Sequence, residues 1–118
     1  VFNCVINPIT AITGSTVGGI VHPGLAPIKR LVIDECLAVA AADGVTFDED
    51  FMALIEKVFA SAATVASTLQ DLQKGRRTEI DHLNGAVVAL GAHYGIACPV
   101  NAALTTIIKQ LEAQARRG

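Results

Sequence analysis

Asn3-Cys4-Val5-Ile6-Asn7-Pro8-Ile9-Thr10-Ala11-Ile12 is the stretch on which the architecture turns. Its two asparagines stand four residues apart among apolar neighbours, so in a helix they share a face. Pro8 gives the run two readings. In one, Asn7 is the N-cap of a helix whose first residue is Pro8, the most economical account of an Asn-Pro pair. In the other, the helix comes from upstream of Val1, Pro8 kinks it, and both amides aim into a cleft. Paired amides of that kind suit a hydroxy or keto acid, because each donates to a carboxylate or carbonyl and also accepts from a hydroxyl.

Outward from this stretch the chain reads as helices. Residues 26–42 start with Pro27 at a first-turn position and place Ile28, Leu31, Val32, Cys36 and Val39 at helical spacing, with Gly44 as the stop. Asp48 is the expected N-cap of the next helix, with Glu49 and Asp50 in its first turn and Phe47 stapled against Met52. The face expected to be buried there is Phe51, Leu54, Ile55, Val58, Phe59 and Ala62. Ser67 to Gln73 reads as a short helix ending in the loop Lys74-Gly75-Arg76-Arg77. Thr78 caps a longer one, with Asp81 near a capping-box position and a stripe of Ile80, Leu83, Val87, Leu90 and Tyr94 that ends at Gly95. Pro99 and Asn101 open the last helix, with Leu104, Ile107, Ile108 and Leu111 on one face and Lys109, Arg116 and Arg117 towards its end. The segment Val17 to Val21 is too short and glycine-rich for sheet, so the expected fold class is all-α.

With 118 residues the chain is one domain, long enough to bury roughly two thirds of its unfolded surface. Only 17% of residues are charged against 52% hydrophobic, where an average domain has roughly 25% charged. Some apolar surface is therefore expected to meet a partner. Nine Lys and Arg against 11 Asp and Glu leave no basic footprint, so neither nucleic acid nor a membrane is an expected partner. The uncharged run from Val1 to Ile28 is broken by Asn3, Asn7, Pro8, Gly14 and Pro23 and has no basic leading region, unlike a signal peptide. No segment approaches the roughly 20 apolar residues of a membrane span. Position 1 is Val and the only Met is Met52, so the chain reads as a piece of something longer. Cys4, Cys36 and Cys98 are odd in number and unpaired in spacing, which points to buried thiols in a reducing, cytoplasmic setting.

The remaining polar candidates each have a plain structural account. Ser67 and Asp71 lie one turn apart and serve helix capping as readily as a ligand. Glu79 is a first-turn carboxylate beside Thr78, favourable to the helix dipole. Lys74, Arg76 and Arg77 surround a glycine as a solvated loop does. His22, His82 and His93 make no metal spacing with Cys98, so no metal is expected. Neither a glycine-rich phosphate loop, GxSxG nor CxxC is present.

The order of the polar blocks is itself a pattern. Residues 3–12 closely resemble the N-x-x-x-N-P-L/I-T-A-L/I helix of ketopantoate reductases (2-dehydropantoate 2-reductases). Ser67-Thr68-Leu69-Gln70-Asp71, Gly75-Arg76 and Thr78-Glu79-Ile80-Asp81 through Asn84-Gly85 resemble that family's S-x-x-Q-D … G-R-x-T-E-I-D-x-x-N-G signature. Tyr94-Gly95-Ile96-Ala97-Cys98-Pro99-Val100-Asn101 is similar to its H-G-I/V-x-T/V/C-P-x-N/T segment. The resemblance runs from end to end.

It implies that residues 1–118 are the helical C-terminal domain of such an enzyme, a multi-helix bundle of the 6-phosphogluconate dehydrogenase C-terminal-like type. The N-terminal Rossmann domain, which binds NADPH, would be the partner within the same protein, and the chain alone would be inactive. In that family a hydride passes from NADPH to the 2-keto carbon of ketopantoate, giving pantoate on the way to pantothenate and coenzyme A. A lysine protonates the developing alkoxide, and a cation beside an oxyanion is suited to that step. Its position, four residues before Asn3, falls upstream of Val1. Carried over by motif, Asn3 and Asn7 would hold the substrate's hydroxyl and carbonyl oxygens and Ser67 its carboxylate. Glu79 would reach the cofactor or the lysine, and Asp71 would orient the loop and helix around Ser67. The resemblance thus turns Asn7 from a cap into a mid-helix ligand. Two departures stand out: Val17 replaces a frequent asparagine that contacts substrate, leaving the identity of the 2-keto acid open, and Arg77 replaces a frequent proline. A homodimer is expected. The alternatives are a non-catalytic helical self-association module and a sibling reductase for another 2-keto acid.

Overall fold

The computed structural model describes residues 1–59 and 62–117, with only the backbone of Arg116 and Arg117, so the charge expected from those two side chains lies outside the described residues. Six α-helices follow one another: α1 (Phe2–Thr13), α2 (Ala26–Ala42), α3 (Phe51–Phe59), α4 (Ser67–Gln73), α5 (Asn84–His93) and α6 (Pro99–Arg117). Short 3₁₀ turns at Val17–Val21, Pro23–Leu25 and Ile80–His82 connect them, and no strand occurs among the described residues.

α1 is the centre of the bundle. Every residue from Cys4 to Ala11 is buried, because the helix packs against α2, α4 and α6 at once. It joins the main core, which includes Val5, Ile9, Ile20, Val32, Ile55 and Leu104, to a smaller one of Ala11, Leu69, Ile80 and Ile108. Burying a Val, Leu or Ile contributes about 1.5–3 kcal/mol each, so α1 is fixed chiefly by its neighbours. Asn7 and Pro8 sit in mid-helix, which decides against the capping reading. Gly14 ends the helix in the left-handed region at φ 69°, where a glycine carries no Cβ penalty.

Pro8 has no N–H, so the carbonyl of Cys4, four residues back, lacks its helical donor. Asn84 Nδ2 donates to that oxygen at 3.0 Å and also to Asn101 Oδ1 at 2.9 Å. Asn101 Nδ2 in turn donates to Glu35 Oε1 at 2.8 Å, while the Glu35 carboxylate accepts from the backbone N–H groups of Val100 and Asn101 at the start of α6, both at 2.9 Å. One polar chain thus ties α1, α5, α6 and α2 together.

The helix bounds at 26–42 and 67–73 are those the sequence predicts, but other details differ. Asp50, not Asp48, caps α3: its Oδ1 accepts from Ala53 N–H at 3.2 Å. Phe47 packs edge-on to Phe51, 5.4 Å between centroids, and Phe51 meets Phe2 at 5.5 Å. Starting the helix at residue 51 is what turns that ring inward. Val58 is 58% exposed, outside the buried face expected for it. In α2 the buried stripe runs through Lys29, Val32, Ile33, Cys36 and Val39, leaving Leu31 51% exposed. Lys29 is 1% exposed; desolvation pushes its pKa down, partly opposed by the Glu56 carboxylate. Ile107 likewise faces outward on α6.

The helix expected from Thr78 to Tyr94 is broken at Leu83, whose φ −109° and ψ −98° are not helical. Glu112 Oε1 holds Thr78 through its N–H and hydroxyl at 2.8 and 2.5 Å, and Asn84 is held by Cys4 and Asn101. Between those two tethers the backbone changes course, and Leu90 and Tyr94 emerge at the surface. Gly91 permits the close return of the loop before α6: a Cβ there would lie 2.7 Å from Ile96 O and 2.9 Å from Cys98 Sγ.

No helix of the described residues is long and apolar enough to cross a membrane. All three cysteines are free and buried.

Candidate functional site

A cleft of about 660 Å³ opens beside α1. Phe2, Asn3, Ile6 and Asn7 form one wall; Val17, the end of α3 at Val58 and Phe59, the 62–66 connection, Ser67 and Glu79 form the rest. Local hydrogen bonds hold this shape. Val17 N–H donates to Thr64 O and Gly18 N–H to Ala62 O, both at 2.8 Å, so the turn after α1 pins the segment that leads into α4. Thr78, clamped by Glu112, fixes the adjacent Glu79.

Four residues singled out in the sequence, Asn3, Asn7, Ser67 and Glu79, therefore line one cleft although they span most of the chain. Asn3 and Asn7 lie one turn apart on α1, Ser67 is the first residue of α4, and Glu79 immediately precedes the Ile80–His82 turn. Asn7 is 8% exposed, and among the described residues its side-chain amide has no hydrogen-bond partner. An amide so placed, facing an open cleft, keeps its donors and acceptor for water or a ligand; stranded without either it would cost about 1–3 kcal/mol. Asp71 is not brought into the cleft. It is half-buried on α4, and its backbone carbonyl accepts from Arg76 N–H at 2.8 Å, closing the loop that follows.

The cleft is two-sided. Asn3, Asn7, Ser67, Thr64 and Glu79 supply polar atoms, while Phe2, Ile6, Val17, Val58 and Phe59 supply an apolar floor. Phe2 and Phe59 stack edge-on with centroids 5.7 Å apart. The arrangement offers hydrogen bonds to adjacent oxygens of a small acid and apolar contact to its hydrocarbon part. The lone carboxylate, Glu79, fits a hydroxyl or an ammonium group; it does not fit a diphosphate. Among the described residues no three His, Cys, Asp or Glu side chains form a metal-binding cluster.

Sequence reasoning missed the residues that hold this site in place. Glu35 and Glu112 carry no local signal, because their partners are 34 to 66 positions away, and Asn101, expected only to open the last helix, also bonds Asn84 17 positions away. Asn84 is visible in the Asn84-Gly85 block, but not its bond to Cys4 across 80 positions.

An all-helical bundle with an open cleft of amides, a hydroxyl and a carboxylate over an apolar floor is a helical domain with a cleft of small-molecule size. The chain belongs to the ketopantoate reductase family, whose C-terminal profile, described as "Ketopantoate reductase PanE/ApbA C terminal", matches residues 1–112. It is 40% identical over 112 residues to the 2-dehydropantoate 2-reductase of Vibrio cholerae, a match that covers 93% of this chain and 38% of that protein. Among solved structures, the PanE/ApbA family ketopantoate reductase from Ralstonia eutropha JMP134 superposes with a TM-score of 0.88 at 37% identity, covering 98% of this chain and 39% of that one. A D-mandelate dehydrogenase with NADH and anilino(oxo)acetate superposes with a TM-score of 0.90 at 27% identity, covering 97% and 39%. The chain thus spans well under half the length of these relatives.

Proposed function

We propose that residues 1–118 form the substrate-side, C-terminal domain of an NADPH-dependent reductase that converts 2-dehydropantoate to pantoate, on the route to pantothenate and coenzyme A. The observation that carries this reading is the convergence of Asn3, Asn7, Ser67 and Glu79 on one cleft. In it, Asn3 and Asn7 orient the keto and hydroxyl oxygens, and the Ser67 hydroxyl donates to the carboxylate. Asp71 plays a supporting part by closing the loop after α4. A nicotinamide cofactor, bound mainly by a Rossmann domain of the same protein, supplies the hydride. Glu79, at the cleft edge, meets a cofactor hydroxyl or the ammonium group of the general-acid lysine. With that lysine and the Rossmann domain outside these residues, the chain alone is inactive.

Exposed Leu31, Val58 and Ile107 support contact with the Rossmann domain and with a second copy in a homodimer. The three free thiols support a reducing, cytoplasmic location. The test is direct. The residues before Val1 in the full-length protein should contain a GxGxxG after a strand and a lysine four positions before Asn3; absence of both overturns the reading. In the full-length enzyme Asn7→Ala should raise KM or lower kcat for 2-dehydropantoate, and unchanged kinetics would remove Asn7 from the site.

A second reading, a sibling reductase for a bulkier 2-keto acid, is favoured by one observation: Val17, not an amide, lines the cleft beside Phe2 and Phe59. Likeness to a D-mandelate dehydrogenase agrees with it. Comparing kcat/KM for 2-dehydropantoate and for aromatic and branched 2-keto acids separates the two.

A further inference from the structure

Glu112 lies late on α6, and among the described residues it is the only acidic side chain that is buried, at 9% exposed. Among those residues no cation stands within ion-pair distance of it. Its Oε1 accepts instead from two neutral donors of one residue, the Thr78 N–H at 2.8 Å and the Thr78 hydroxyl at 2.5 Å. A carboxylate taken out of water needs its donors held in place, so the contact constrains Thr78 as much as it satisfies Glu112. The Thr78 hydroxyl oxygen also accepts from Ile80 N–H at 3.3 Å, and the Glu79 carbonyl accepts from His82 N–H at 2.8 Å. Ile80 is 1% exposed and packs with Ile108 of α6 in the smaller core. Lys109, three residues before Glu112 on the same helix, pairs with Asp81 at 3.0 Å, but both of those side chains are exposed and their pairing is weak. Residues 78–82 thus form a short arch seated on α6. Glu79 is its exposed member towards the larger cleft, and among the described residues the Glu79 carboxylate has neither a hydrogen bond nor an ion pair of its own. Its direction is set by the backbone that carries it.

We propose that Glu112 is a positioning residue for the reaction, acting through Glu79: by holding Thr78 it keeps the arch on α6 and the Glu79 carboxylate aimed into the cleft. The inference rests on the reductase reading, in which Glu79 meets a cofactor hydroxyl or the ammonium group of the lysine. Glu112 does not line the cleft and touches neither. It acts by geometry and not by charge, since a single oxygen accepts both bonds and an amide oxygen would serve as well. Glu79 needs such an anchor because a carboxylate with no partner of its own is preorganised only as well as the shell behind it.

The full-length enzyme tests this through a double-mutant cycle in kcat/KM for the 2-keto acid it turns over fastest, with urea midpoints measured alongside. Glu112→Ala should lower kcat/KM by about tenfold to 10²-fold, the scale of a misplacement of about 1 Å. Glu112→Gln, whose amide oxygen accepts the same two bonds, should recover most of that loss. Once Glu79→Gln has removed the carboxylate being aimed, Glu112→Ala should lower kcat/KM by no more than about twofold further. Thr78→Val, which removes only the hydroxyl, serves the same cycle where Glu112→Ala does not fold, and should show the same coupling to Glu79. A loss that multiplies fully with that of Glu79→Gln, or one that Glu112→Gln does not recover, would overturn the role while the reductase reading stands. A wild-type enzyme that reduces no 2-keto acid would overturn the reading, and the role with it.

Discussion

Two pairs of asparagines in this bundle have the same chemistry and opposite fates. Asn84 and Asn101 are 0% exposed and hydrogen-bonded to one another, to Cys4 O and to Glu35, leaving only Asn84 Oδ1 without a partner. Asn3 and Asn7 face the larger cleft, and among the described residues their side chains make no hydrogen bond to the protein. The first pair is consumed by the fold, whereas the second keeps its hydrogen-bonding groups open to the cleft. The difference teaches that burial alone does not say what an amide does; one whose shell the protein fills serves the fold, and one left unfilled beside open space stays available.

Mutation of each pair should separate stability from activity. The largest effect is expected for Asn7→Ala in the full-length enzyme, where kcat/KM for the 2-keto acid should fall by about 10²–10³, the magnitude of losing one preorganised donor, while the urea midpoint barely moves. A lower midpoint with normal kinetics would reverse the assignment of the two pairs. Asn84→Ala should do the opposite and cost about 2–3 kcal/mol in urea denaturation, since it strands Cys4 O and Asn101 Oδ1. Pro8→Ala sharpens this further. It gives Cys4 O its helical donor back, so Asn84→Ala should cost about 1 kcal/mol less in that background, read as the coupling in a double-mutant cycle. Additive mutations would mean that the Asn84–Cys4 bond is not replacing the one Pro8 lacks. The smallest effect is reserved for Lys109→Ala. Its 3.0 Å ion pair with Asp81 joins side chains that are 52% and 56% exposed, so the change should stay within about 0.5 kcal/mol by thermal melting.

What the sequence made legible follows from range. Pro27 and the apolar spacing of residues 26–42 delimit α2 because those signals act within a turn or two, and Ser67–Gln73 is bounded by its own loop glycine. Asp48 and Asp50 are equally good caps locally; the turn of Phe51 towards Phe2 goes with the second. The break at Leu83 was invisible because it is set by tethers to α1 and α6. In the site, Asn3, Asn7, Ser67 and Glu79 were legible from the order of motifs, whereas the apolar floor of Phe2, Ile6 and Phe59 was not, since those residues read simply as core. Glu35 and Glu112 have no local cue at all, since the backbone groups they hold lie 34 to 66 positions away.

The carbonyl that Pro8 leaves without a helical donor also bears on the order in which the molecule assembles. Its replacement donor, Asn84, is 80 residues along the chain, so α1 cannot complete its own hydrogen-bonding ladder when it first coils. Local helix formation is fast, but a contact of this range must wait for loop closure across nearly the whole domain. The hydrogen bonding of the central helix, whose wall carries Asn3 and Asn7, is therefore complete only once the start of α5 is in place.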